Sequence, residues 1–119
     1  MTPRVFVPQQ PMKRDPATRQ LAPTHNLSGA LRFGELKILL PSGPVMLSTA
    51  PMVKALRERL FDYSDDDCII GIGSPAAIAA TCMVAAMMNE GRVRLLQYDR
   101  QEGEYIELAI DATGRTERV

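Results

Sequence analysis

The chain has 119 residues, 45% of them apolar, with fourteen basic and fourteen acidic side chains. That length fits one small domain, and the charge balance excludes the strong basic excess that non-specific nucleic-acid binding requires. Near-zero net charge also leaves little repulsion between copies, which favours association.

In chain order, residues 1–27 read as an extended, proline-rich arm. Pro3, Pro8, Pro11, Pro16 and Pro23 fall here, a density that forbids helix and interrupts sheet pairing. Within the arm, Arg4 to Val7 is expected to add one short strand at a sheet edge. Residues 28–111 read as the folded domain, and 112–119 as a polar tail. Leu36, Ile38 and Leu40 alternate and read as a strand, with a short helix from Ser28 as the rival. Pro41 to Pro44 is a turn, and Val45 to Thr49 a short extended run.

Thr49-Ala50-Pro51 opens a helix, a hydroxyl cap followed by proline in the first turn. Val53, Leu56 and Leu60 form its apolar stripe. Cys68 to Ile72 is a continuous apolar strand of the kind buried on both faces in parallel sheets. Ser74 and Pro75 cap and start a second helix running to about Asn89, and Gly91 stops it. A strand through Val93 and Leu95 follows, then a turn over residues 99–103. The closing strand is expected to turn Ile106, Leu108 and Ile110 inward. The strand-helix-strand order at 68–98 is a β-α-β unit. The fold class is therefore α/β: a small, mainly parallel sheet in two or three layers, two main helices, a C-terminal antiparallel hairpin and the extended arm.

The second helix has almost no polar face. From Ala76 to Met88 only Thr81 relieves the apolar side chains. A helix apolar all round is expected to be buried all round. A domain this small has little material for that, so Met83, Met87 and Met88 are the candidate interface, with a homodimer or a protein partner expected over them. The segment is shorter than the ~20 residues of a bilayer span, and no basic segment with an apolar run opens the chain, so a soluble protein without a secretory signal is expected.

Gly71-Ile72-Gly73-Ser74-Pro75-Ala76 matches the glycine turn that brings a dinucleotide pyrophosphate to a helix N-terminus. Gly71, Gly73 and Ser74 are thus candidate ligand-binding residues. Asp99, at the end of the following strand, is placed to meet a ribose. Against a nucleotide, Pro75 has no N–H to offer; the plainer reading is a tight turn with Ser74 as cap. Asp65, Asp66 and Asp67 look like a metal cluster, but neighbouring carboxylates on an extended chain point to alternate faces, so a solvated acidic turn is expected. With His25 alone in the arm, the serines lack a base and no catalytic residue is assigned. Cys68 and Cys82 lack metal-ligand spacing and read as reduced, buried thiols. No cofactor and no metal are implied. Tyr98 and Tyr105 are expected to pair across the terminal hairpin, and Glu102, Glu104 and Glu107 to neutralise Arg92, Arg94 and Arg100.

The run FDYSDDDCIIGIGSPAAIAATCMVAAMMNEGRVRLLQYDRQEGEYI, with VFVPQQP and LSTAP before it, resembles a group of small proteins encoded by tailed bacteriophages, marine ones especially. The resemblance implies a phage origin and carries over no catalytic residues. The expectation that follows is a non-enzymatic phage accessory protein in the host cell cytoplasm, acting by protein–protein binding or self-association, away from membranes. Two alternatives stand beside it: a nucleotide-binding module at Gly71, Gly73, Ser74 and Asp99, and a minor virion structural protein.

Overall fold

The computed structural model describes residues 2–23, 25–42 and 48–114. In chain order these form β1 (Arg4–Gln9), β2 (Met12–Arg14), β3 (Leu21–Pro23), a 3₁₀ helix (Ser28–Phe33), β4 (Glu35–Leu40), α1 (Ala50–Arg59), β5 (Cys68–Ile70), α2 (Pro75–Met88), β6 (Arg92–Asp99) and β7 (Glu104–Asp111). Five strands make one sheet in the order β4-β1-β5-β6-β7, parallel except for the β6–β7 hairpin. β2 and β3 pair separately as a small antiparallel hairpin. The α/β class, the mainly parallel sheet, both helices and the terminal hairpin agree with the sequence reading.

The arm's first strand does not lie at an edge. β1 sits inside the sheet between β4 and β5, and Val5, Phe6 and Val7 are buried. Three consecutive apolar side chains suit a position covered on both faces. Pro8 is tolerated because pairing with β5 has ended by then: the β1–β5 register covers Val5 and Phe6, and Gln9 N–H reaches Ile72 O at 3.4 Å. β5 is buried at all three positions, as its sequence demands.

Alternate side chains of β1 and β5 supply two cores. Phe6 and Ile69 face α1 and α2, where Leu56, Leu60, Val84 and Ala85 pack. Val5, Val7, Cys68 and Ile70 face the 3₁₀ helix, with Leu27, Ala30, Leu96 and Tyr105. Leu56 and Leu60 are fully buried, each stabilising by about 2 kcal/mol. The sheet is thus covered by two helices on one side and a short 3₁₀ turn on the other. Both readings of residues 28–40 hold in succession, the 3₁₀ helix first and then β4. As an edge strand β4 leaves Ile38 exposed.

Three local expectations need correction, and a fourth is not open to test. Thr49 precedes α1 in a helical conformation and its hydroxyl makes no cap bond; Pro51 in the first turn does start the helix. The extended run at 45–49 lies mostly outside the described residues. On β7 it is Tyr105 that is buried, while Ile106, Leu108 and Ile110 are exposed. They are on the helix side, opposite Gln97, Leu95 and Val93, but β7 lies beyond the strands that α2 packs on. Nor is α2 buried all round. Ala77, Thr81, Val84 and Ala85 are its buried side, and Met83 and Met87 are each 67% exposed.

Candidate functional site

The sheet reverses its winding at β1: β4 is added on one side and β5 on the other. The crevice between the carboxyl ends of β1 and β5 is where open α/β sheets take ligands, and the glycine turn stands there. Ser74 caps α2 as expected, its Oγ accepting from Ala77 N–H at 3.3 Å. Gln9, at the end of β1, reaches across the crevice. Its Oε1 accepts from Ser74 N–H at 2.7 Å, its Nε2 donates to Pro41 O at 2.9 Å, and the residue is 5% exposed. A side-chain amide of the protein therefore holds the donor that a phosphate would use. Gly73 permits the contact: at φ 130° it passes so close that a Cβ would stand 3.1 Å from Gln9 Cβ.

Of the four candidate ligand residues, Gly73 and Ser74 line one shallow cleft of about 370 Å³ with Gln9, Met12, Leu21 and Ser42; Gly71 and Asp99 do not. Asp99 is a turn residue. Its Oδ1 accepts from Gln101 N–H at 3.0 Å and its carbonyl from Gly103 N–H at 2.8 Å. Sequence reasoning missed Gln9, because only the sheet order brings it beside Ser74, 65 residues away.

The acidic triplet is a structural joint at the opposite end of the sheet. Asp67 is buried and accepts from Arg4 N–H (3.1 Å), Nε (3.1 Å) and Nη2 (2.9 Å) and from Ser64 N–H (3.0 Å). Arg4 also reaches Asp62 at 3.1 Å. Asp65 pairs with Arg92 at 3.1 Å and accepts from Asn89 at 2.8 Å, which together hold its carboxyl below the usual range. Asp65 and Asp66 are exposed and fit the expected solvated turn; Asp67 does not, being buried. Arg94 binds Glu107 through two nitrogens at 2.7 and 2.8 Å and lowers that carboxyl's pKa. Among the described residues no group of three His, Cys, Asp or Glu side chains is placed to hold a metal ion. Cys68 and Cys82 are free thiols whose pKa burial pushes up, Cys68 to about 11, so neither is a thiolate at neutral pH. Tyr98 and Tyr105 face each other with centroids 5.1 Å apart, edge to face.

On the helix side α1 exposes charged residues and α2 an apolar face. α2 carries no charged residue from Pro75 to Met88, and it presents Met83 and Met87, four residues apart on one face, to solvent. Phe61, just past the C-cap of α1, is 70% exposed. Met88 is different: it is half-buried and packs against the core. Two of the three candidate interface residues therefore share one exposed face. Among the described residues no helix is long and apolar enough to cross a membrane.

No curated protein and no solved structure matches this chain. A family model described as Phage Pam3 gp32-like protein does match, over residues 3–112. The match takes in every strand and helix described above, and with it the resemblance to small phage proteins becomes a membership: the chain belongs to the phage Pam3 gp32-like family.

Proposed function

We propose that this phage protein is non-enzymatic and works in the host cell cytoplasm by binding another protein through the outer face of α2. The observation that carries this reading is the pair Met83 and Met87, each two-thirds exposed on a helix with no charge along its length. Contiguous exposed apolar surface marks contact sites more often than accident, and methionine adapts to irregular partners. The crevice supports the same reading from the other side, since its helix N–H is held by Gln9.

The experiment is a comparison of tagged wild-type protein with a Met83→Glu/Met87→Glu variant, both recovered from infected cells. Exposed positions tolerate such changes within about 0.5 kcal/mol each, so the variant is expected to melt within a few degrees of wild type. It is expected to lose a partner that the wild type retains. Equal recovery of the same partner by both proteins would contradict the reading.

A further inference from the structure

β7 is an edge strand of eight residues with neither Lys nor Pro, its charged residues being Glu104, Glu107 and Asp111. The direction of its backbone groups follows from one hydrogen bond. Ala112 N–H donates to Gly91 O at 2.7 Å, just beyond the Arg92–Asp111 pair. Antiparallel bonding alternates, so Leu108, Ile106 and Ile110 bond towards β6, and Tyr105, Glu107, Ala109 and Asp111 turn their N–H and C=O outwards. Arg32 agrees with this assignment: its guanidinium donates to Tyr105 O at 3.1 Å from outside the sheet.

We propose that a second copy of this chain pairs with the outer edge of β7, antiparallel and centred on Leu108, joining two five-stranded sheets into one. This does not rest on the α2 reading. The centre is selected by hydrogen bonding and charge. Outward-facing residues must oppose outward-facing residues, which leaves only symmetric registers centred on a residue. Centring on Glu107 sets that carboxylate against its own copy. Centring on Ala109 sets Glu107 against Asp111, and like charges directly opposite destabilise a pair. Centring on Ile106 sets Leu108 against Glu104 and Ile110 against Glu102, so two of the three exposed apolar side chains face acids. Centring on Ile110 shortens the overlap and leaves Ile106 unmatched.

Centred on Leu108, Glu107 opposes Ala109 and Glu104 opposes Ala112. Leu108 meets Leu108, and Ile106 meets Ile110 twice, so the exposed side chains of β7 form one apolar ladder. Tyr105 opposes Asp111 at each end of the overlap, where Arg32 already holds the Tyr105 carbonyl, so the four central backbone bonds run between Glu107 and Ala109 of the two copies. The two-fold axis stands normal to the sheet, so both copies carry α1 and α2 on the same side.

A Leu108→Cys variant tests the geometry. The Leu108 pair is not hydrogen-bonded across the new edge, so its Cβ atoms stand ~4.5–5.5 Å apart, within disulfide reach after a small adjustment. Mild oxidation is expected to give a covalent dimer from Leu108→Cys and at least tenfold less from Glu107→Cys or Ile110→Cys, whose mates lie elsewhere. Ala109→Pro provides a second arm: it deletes an outward N–H and leaves the β6 bonds intact. It is expected to melt like wild type and to weaken association at least tenfold by sedimentation equilibrium. A wild-type protein that stays monomeric at 100 µM, equal cross-linking by all three cysteine variants, or undiminished association of Ala109→Pro would each overturn the proposal.

Discussion

Arg4 and Asp67 join the amino ends of β1 and β5, with the carboxylate 2% exposed and the guanidinium 19%. Removing one partner of a buried charge pair strands the other, at about 3–5 kcal/mol. Asp67→Ala is therefore expected to lower unfolding free energy in urea by roughly 3 kcal/mol, and Asp66→Ala by less than about 0.5 kcal/mol. Gly73 is the second sensitive residue. An alanine there would hold a left-handed backbone and press Gln9 at 3.1 Å. Gly73→Ala is expected to cost about 2 kcal/mol, whereas Gly71→Ala, whose nearest contact is 3.7 Å, costs less. Neither partnership was legible in the sequence. Arg4 stands 63 residues from Asp67, and Gln9 65 from Ser74, and nothing local marks either pair.

Elements announced by local chemistry form where the sequence places them, although Thr49 gives α1 no hydroxyl cap. Ser74 and Pro75 begin α2, Gly91 at φ 87° ends it, and Asp99 to Gly103 close the β6–β7 turn. What failed depends on neighbours that a segment cannot see. The proline-rich arm reads as a sheet edge, but its three buried apolar residues put β1 inside the sheet. On β7 the alternation was right and the polarity wrong, because α2 does not extend over that strand. Tyr63, between α1 and β5, and Cys68, the first residue of β5, add a pH signature. Burial raises Tyr63 to about 12 and Cys68 to about 11, from 10.0 and 9.0. A raised folded pKa means that the stability is whole below the unfolded value and is lost as pH rises through the folded one. The urea midpoint is expected to fall steadily from about pH 9 to pH 12; a flat profile to about pH 11 would contradict this burial. Asp65 and Glu107 have the opposite sign. Their lowered pKa values give stability that is present above the ordinary carboxylate range and lost as pH falls through the folded values. Both are exposed enough that salt screens the effect.

At the scale of the molecule, the polar groups placed like site residues are largely occupied by one another, and the outer face of α2 is an uncharged, apolar stretch of surface. Gln9 reaches across the crevice and arginines hold Asp65, Asp67 and Glu107, while Met83 and Met87 stand uncovered. That division underlies the reading of a protein that acts by contact. It also explains why the sequence revealed a surface and not a reaction: an all-apolar helix is visible in one dimension, and its uncovered side emerges only once the sheet has taken the other. The most direct measurement is site-specific photocrosslinking in infected cells, with the probe at Met83 in one strain and at Lys54, an exposed polar position on α1, in another. The account predicts one discrete protein adduct from position 83 and none of that mass from position 54. No adduct at 83, or the same adduct from both positions, would contradict it.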